Sequence, residues 1–513
     1  MSARHTLAIV GAGPTTLMFL NELLQLTTAL LRDLDVTVFE ASDSLGRGFA
    51  FGDDAIHPCL LSNNSPDEIP VLTMPFSQWH RQENRKNEKA EDTHSKVVTR
   101  AAIGAYFSFS YQIIFQKLIE RGLTIRHEKN TVVENLKKCP ESVQLFLNSG
   151  SSEYFKKVFI NYGKERSGGT LNNTLLPYPV ARYANSSLNK YHVIGTSLTG
   201  IDCVAGIAHT RGTFTFQNNK LVYNSQAEWT VNLFSSHGTF PRIWYSSHYK
   251  GFLSRYFIRH ANPTYYCFDN AYRHLFLEAL RRFAPGVFCQ IKTLSFKEAL
   301  NFMAGDEHGV DPWQKLHVEL FSGQLSPYSD YAMWPVLLEA FLEVIETIPI
   351  AVKDHSPATR EVKRLIAFHT AAIPVHSCEK LQALHRAGRL SILPKKIRSQ
   401  DIVHDKSPDT VFIDARGNLP PINNCLNTDK IAKALGIASM DKAKLCREQA
   451  YEIVANGEAS AIHLGSAYLI PDKLNTPGLD TCQDMAKSQF LHIKNWLANT
   501  AVTTQSINST TVT

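Results

Sequence analysis

Apolar residues gather at the start of the chain, where the run Thr6-Leu7-Ala8-Ile9-Val10 is broken by Gly11-Ala12-Gly13-Pro14-Thr15-Thr16. A Leu-rich stretch follows, then a second apolar-alternating run, Val36-Thr37-Val38-Phe39, which closes on Glu40. This pattern predicts strand, glycine turn, helix, strand and acid, the order that a dinucleotide site requires. Gly11 lets the chain turn sharply at the strand end, and Gly13 presents no side chain to keep a pyrophosphate off the backbone. The helix that follows supplies free N–H groups and a positive dipole end. Glu40 falls about where a carboxylate grips the hydroxyls of an adenosine ribose, some 20 residues on. The third glycine position, which lets helix and strand pack closely, is Thr16.

A second unit of the same kind begins at Tyr191-His192-Val193-Ile194. Gly195-Thr196-Ser197-Leu198-Thr199-Gly200 follows, then the small-residue helix Ile201 to Ala208, with Ser197 in place of the middle glycine. The strand expected to carry the ribose contact, Trp229 to Phe234, ends in Ser235-Ser236-His237-Gly238 and has no acid. An acid there would repel a 2′-phosphate, whereas serines and a histidine accept one, so the second nucleotide reads as NADPH over NADH. His237 is equally an ordinary loop histidine on this pattern.

Two such units on one chain imply two cofactors handled together. The chain resembles the FAD/NAD(P)-binding flavoproteins with two dinucleotide-binding domains. The resemblance is carried by Gly46-Arg47-Gly48-Phe49-Ala50-Phe51-Gly52, similar to a GRGFAYG segment of one bacterial branch, and by Leu60 to Pro70, similar to its LLANMASIEIP stretch. Thr99 to Tyr106 resembles its PRxxxGxY element, Ile194 to Asp202 its IGTSLSAID signature, and Ile462-His463-Leu464-Gly465-Ser466 a late strand-turn that approaches the flavin. Val158 to Gly163 and Val411 to Gly417 stand where two return strands pass under the cofactors. The fold class implied is α/β, two Rossmann-like dinucleotide-binding domains with a helical insertion.

The anchors divide the chain into residues 1–180 as the first part of the FAD domain and 191–244 as the first part of the NAD(P) domain. Residues 245–395, rich in aromatics and amphipathic helices, read as a mostly helical insertion covering the substrate. Residues 396–500 return to both nucleotide domains, and 501–513, Thr/Ser/Asn-rich without apolar periodicity, read as a disordered tail. The charged stretch 81–96 mixes both signs and suits a solvated loop.

Composition refines this picture only modestly. The 513 residues are 44% hydrophobic and 19% charged, with a formal net charge of +6. That is ordinary globular usage, and the dispersed basic residues argue against a nucleic-acid partner. No apolar run approaches the length of a membrane span, and the first strand starts too early to leave a signal peptide, so a cytoplasmic protein is expected. Nine cysteines occur without a CxxC, which fits free thiols and argues against disulfide-reductase chemistry. Oligomeric state is not legible, and no metal site stands out.

By resemblance, the activity expected is an FAD-dependent, NADPH-using monooxygenase. It would transfer oxygen from O2 to a small polar metabolite, N-hydroxylation of an amine or amino acid being preferred. An NAD(P)H-dependent flavin reductase or oxidase with another acceptor, and a non-catalytic FAD-binding member, remain alternatives. Gly11, Ala12, Gly13, Pro14 and Thr15 are expected to wrap the FAD pyrophosphate, with Glu40 on the ribose. The resemblance brings Arg47 and Gly48 to the same pyrophosphate, Asn63 beside the flavin ring as the candidate catalytic group, and Gly465 close to the flavin. Arg47 alternatively serves a surface ion pair, and Asn63 a turn. Gly195, Thr196, Ser197 and Gly200 are expected to cradle NADPH, with Ser235 and His237 near the 2′-phosphate. Arg242 is a candidate for the positive charge there, or a plain solvent-facing arginine.

Overall fold

The computed structural model describes the chain except for residues 1–4, 53–56, 87–97, 164–170, 185–186, 219, 237, 245–249, 263–266, 305–310, 327–328, 348–359, 405–406, 418–424, 441–443, 447–448, 467–468, 471–473, 475–477 and 511–513. The apolar run at the start forms the strand His5–Val10, and its side chains serve two cores at once. Leu7 and Ile9 join the cluster beneath the helices Pro14–Leu23 and Arg100–Glu120, while Ala8 and Val10 pack on the other face with Phe39 and Val158. Burial on both faces is why this strand reads as a continuous apolar run rather than an alternating one.

That strand is central in a seven-stranded sheet. Leu34–Phe39 and then Thr124–Glu128 lie parallel on one side, Lys157–Ile160 and Glu458–Leu464 parallel on the other. Glu452–Ala455 and Lys444–Cys446 extend the far edge antiparallel. A second, four-stranded parallel sheet runs in the order Leu390–Pro394, Thr230–Ser235, Lys190–Ile194, Thr410–Asp414. Helices cover one face of the first sheet, and the three-stranded antiparallel sheet Val133–Lys138, Val143–Leu147, Ser152–Phe155 covers the other with the helix Thr428–Ala434, so the fold class is α/β with two Rossmann-like units. In each, the return strand lies directly beside the strand that precedes the glycine turn.

The helical insertion has different limits from those expected at 245–395. Its helices run from Lys250–His260 to Arg360–Thr370 around their own apolar core. It joins the second domain through two short parallel strands, Ile243–Trp244 and Ile373–Pro374. The next helix, Val375–Arg386, and the strand Leu390–Pro394 belong to the second nucleotide sheet. The five-residue segment Leu-Ser-Ile-Leu-Pro carries too little periodicity to announce a parallel strand whose partner is distant in sequence.

Two further expectations change. Residues 81–86 continue the helix Phe76–Lys86, and the remainder of the charged stretch to 96 lies outside the described residues. The backbone of 501–510, expected to be disordered, continues the helix Leu479–Thr510. That helix is anchored by Leu479, Ala486, Phe490, Ile493 and Leu497 in the first core, and extending an established helix is far easier than nucleating one. Among the described residues no helix is long and apolar enough to cross a membrane.

Candidate functional site

The first glycine turn is built by close backbone approach. Gly11 has φ of 102°, and a Cβ there would meet the Tyr162 nitrogen at 2.7 Å, so the turn and the crossing return strand both require glycine. Gly13 precedes the helix Pro14–Leu23 in extended conformation with no side-chain cap, which leaves the first N–H groups for a ligand. The Gly46–Gly52 segment folds against this turn: Gly46 N–H donates to the Ala12 carbonyl at 2.7 Å, and Gly48, at φ 59°, faces Gly13 and Pro14. Ala12, Gly13, Pro14, Thr15, Arg47 and Gly48 are therefore brought together. Arg47 is oriented by its Nε donating to Ser108 Oγ at 2.6 Å.

Glu40 reaches the same turn. Its carboxylate accepts from the Ala12 N–H at 2.8 Å and from the Ser42 N–H and hydroxyl at 3.0 and 2.9 Å. It thus organises the turn. Glu40→Ala is expected to weaken retention of FAD by about 1.5–3 kcal/mol, the loss of a charge-assisted contact. Flavin fluorescence titration checks this; unchanged affinity would remove Glu40 from the site.

Thr16, at the third glycine position, and Asn161, in the Asn-Tyr-Gly that stands where the resembling proteins usually have Ala-Thr-Gly, prove to be partners. Thr16 Oγ1 donates to the Gly11 carbonyl at 2.6 Å and accepts from Asn161 Nδ2 at 3.0 Å. Asn161 in turn exchanges hydrogen bonds with Gln489 of the C-terminal helix at 2.7 and 3.3 Å. Gly465 stands against this amide pair, where a Cβ would overlap Asn161 and Gln489.

The segments carrying the resemblance interlock nearby. Gly104 lets the helix Arg100–Glu120 approach the Phe51 carbonyl, and Tyr106 pins the end of the 60–70 stretch by bonding Leu72 N–H at 3.1 Å and the Met74 carbonyl at 2.6 Å. Asn63 is half-buried between Ser62 and Asn64, whose side chains bond each other at 2.8 Å. The adjoining residues Cys59, Leu60 and Leu61 meet Ile201 and Asp202 of the second domain. Cys59 is no reactive thiolate there, because burial pushes its thiol up to about 12.

At that junction lies a cluster that the sequence reading did not single out. Arg100 Nη1 contacts Asp202 Oδ2 at 2.8 Å and Tyr178 Oη at 3.4 Å, and the Tyr178 hydroxyl donates to the same carboxylate. Burial raises the Asp202 carboxyl, opposed by Arg100 and Tyr178. Arg100 and Asp202 belong to two of the segments behind the resemblance, so those motifs meet as a clamp between the domains.

The second glycine turn repeats the first. Gly195 has φ of 124° and a Cβ there would meet the Ala415 carbonyl at 2.8 Å, while a Cβ on Gly200 would overlap the Gly195 carbonyl. Ser197 begins the helix Leu198–Arg211 without a side-chain cap. Gly195, Thr196 and Ser197 open into a cleft of about 440 Å³ at the carboxyl ends of the second sheet. Ser235 lines it and accepts from the Gly238 N–H at 2.9 Å; His237 lies outside the described residues.

Arg242 corrects the sequence reading. It does not line the cleft; it is 4% exposed, ion-paired with Glu319, and donates to the Met303 carbonyl. The cleft's cations are instead Arg364, Lys395, Lys396 and Arg416. Arg416 is bidentate on the buried Asp414, at 2.8 and 2.6 Å. Burial works to raise that carboxyl, but the hydrogen bonds from Arg416 and Leu171 outweigh it and hold it below the usual range. The Lys395-Lys396-Ile397-Arg398 run was visible in the sequence, but its meaning depends on knowing that a sheet strand precedes it.

Two Rossmann-like units, each with a glycine turn at the end of a parallel strand, thus lie on one chain. Residues 8–165 match a family model described as FAD-NAD(P)-binding, so the first unit is an FAD/NAD(P)-binding domain. Among curated proteins the chain is similar to YdhS of Escherichia coli (strain K12), an uncharacterized protein, at 24% identity over 461 residues, covering 81% of this chain and 83% of that one. Among solved structures it is similar to the ornithine N-hydroxylase of Kutzneria sp. 744 with reduced FAD, NADP+ and L-ornithine, at TM-score 0.49 and 12% identity over 96% of this chain and 99% of the other. OTEMO in complex with FAD and NADP gives TM-score 0.48 at 12% identity, over 97% and 86%.

Proposed function

We propose that this protein is an FAD-dependent, NADPH-using monooxygenase of a small polar metabolite, with N-hydroxylation of an amine or amino acid as the preferred reaction. The observation that carries the two-cofactor reading is the repetition of one device. In each of the two sheets a parallel strand ends in a glycine of positive φ followed by an uncapped helix N-terminus. Such an arrangement receives a pyrophosphate. The two sheets are joined at the Arg100–Asp202–Tyr178 cluster.

The residues present fit both nucleotides. In the first unit Gly11 to Thr15, Arg47 and Gly48 would hold the FAD pyrophosphate, with Glu40 on the ribose. In the second, Gly195, Thr196, Ser197 and Gly200 would hold the NADPH pyrophosphate against a cation-lined cleft. When bound, FAD supplies the two-electron exchange and the reaction with oxygen. This chain's residues bind, orient and exclude water. Asn63 is half-buried, a few residues after the Leu60 and Leu61 that meet the second unit, and its amide would donate a hydrogen bond towards the reacting ring. All nine cysteines are free, and with no CxxC in the sequence a dithiol acceptor is disfavoured. N-oxygenation is preferred on the family resemblance.

The test uses FAD-loaded protein with NADPH, isotopic oxygen and a panel of amines and amino acids. Labelled oxygen in an N–O bond of one substrate, with NADPH consumed in step, is the expected result. Stoichiometric hydrogen peroxide that no substrate diminishes would replace this reading with that of an NAD(P)H oxidase.

A further inference from the structure

The cations of the cleft come from separate parts of the chain, and that distribution has a consequence. Lys395 and Lys396 follow the strand Leu390–Pro394, whose Pro394 is in register with Ser235 at the end of the neighbouring strand. In a Rossmann unit this corner, beyond the strand after the glycine-turn helix, receives the adenosine ribose. Arg364 comes from the helical unit, on the helix Arg360–Thr370. There Arg364, Leu365, Ala367 and Phe368 line the cleft with the i, i+1, i+3, i+4 spacing of a single helix face.

The carboxylates near these cations are already engaged. Lys395 is held by Asp401 at 3.1 Å, Arg416 by Asp414, and Glu361, on the same helix as Arg364, is paired with Lys297 at 2.6 Å. Lys396 and Arg364 are exposed, and among the described residues neither is in an ion pair. A phosphate monoester carries a charge of about −1.5 to −2 at neutral pH, enough to need two cations.

We propose that Lys396 and Arg364 grip the 2′-phosphate of NADPH from opposite walls of the cleft. The helical unit is then part of the nucleotide site, not only a cover for the substrate. The inference rests on the NADPH reading of the cleft and deepens it. Arg364 is well placed to pass occupancy on: Phe368 of its helix accepts from the Arg242 N–H at 3.4 Å. Arg242 leads directly into Ile243–Trp244, one of the two strands by which the unit is attached.

The experiment measures binding of NADP+, NAD+ and 2′,5′-ADP to the FAD-loaded full chain. Wild type is compared with Arg364→Gln and Lys396→Gln, both exposed sites where thermal unfolding without nucleotide should not change. Each substitution is expected to weaken NADP+ and 2′,5′-ADP about tenfold, the weight of one charge-assisted contact, and to leave NAD+ within about twofold. Arg364→Gln with unchanged NADP+ affinity overturns the proposal, as does an equal loss for NADP+ and NAD+, which would place Arg364 on the pyrophosphate. Wild-type protein that binds neither NADP+ nor 2′,5′-ADP overturns the NADPH reading itself.

Discussion

Asp202→Ala is expected to lower the unfolding free energy by about 3 kcal/mol and to slow reduction of the flavin by NADPH more than it weakens NADPH binding. Asp202 is 6% exposed, and its carboxylate receives both the Arg100 guanidinium and the Tyr178 hydroxyl. Removing it leaves a cation and a hydroxyl facing each other in a buried junction. Breaking such a pair costs about 3–5 kcal/mol, and the partial exposure of Arg100, 18% for its side chain, argues for the lower end. The kinetic part follows from location. Arg100 opens a helix of the first domain and Asp202 lies on the glycine-turn helix of the second. The pair therefore fixes how one nucleotide site faces the other without touching either glycine turn. Asp202→Asn keeps an acceptor for Tyr178 and should lose less of both quantities. Urea denaturation and anaerobic stopped-flow reduction read the two effects separately. An unchanged denaturation midpoint in Asp202→Ala would show that the cluster does not hold the domains together.

Both glycine turns were legible because their constraint is local. Gly11 and Gly195 need positive φ and close approach of a neighbouring strand, and a strand, a turn and a helix in immediate succession advertise that. The apolar run of the first strand, His5–Val10, was legible for a related reason, since burial on both faces leaves a continuous pattern. The side chains that complete the sites were harder to read because their meaning lies in distant partners. Arg242 follows Phe240-Pro241 and looks available, but Glu319 removes it from the cleft. Lys396 looks like one of many dispersed lysines until Pro394 is found in register with Ser235.

The departures at the first turn show the same limit from the other side. A threonine at the third glycine position and Asn-Tyr-Gly at the return strand read as decay when each is compared with a motif. In three dimensions Asn161 accepts and donates where Thr16 and Gln489 require it. A buried amide is tolerated when its hydrogen bonds are made. The substitutions compensate each other, so they are no argument against a working nucleotide site.

Stability is expected to fall steeply as the pH drops from about 7 towards 4.5. His369 is fully buried between two partners that fix its neutral form: its Nδ1 accepts from the Trp334 indole N–H at 3.2 Å, so its Nε2–H is the atom that donates to the Leu300 carbonyl at 2.9 Å. A second proton on Nδ1 would face a donor. Burial, with Arg242 adding to it, pushes His369 down to about 3. Burial likewise carries His463 well below its ordinary value and His492, beside it at 4.5 Å between rings, to about 4. An unfolded histidine titrates near 6.5. Between that value and the depressed folded values the unfolded chain binds more protons, so the stabilisation is complete above about pH 7 and is lost as the pH falls. His369 alone would account for about 3 kcal/mol by pH 4.5. Glu343 works in the opposite sense, since burial raises it to about 7 despite Lys250 at 2.6 Å. With Glu339 and Asp202, which burial also raises, it makes three carboxyls against a larger set of histidines, among them His127 and His209, which burial lowers to about 4. Denaturant midpoints at pH 7.5, 6.0 and 5.0 should therefore decrease in that order. A midpoint that held constant or rose on acidification would mean that these histidines are not kept neutral by the fold.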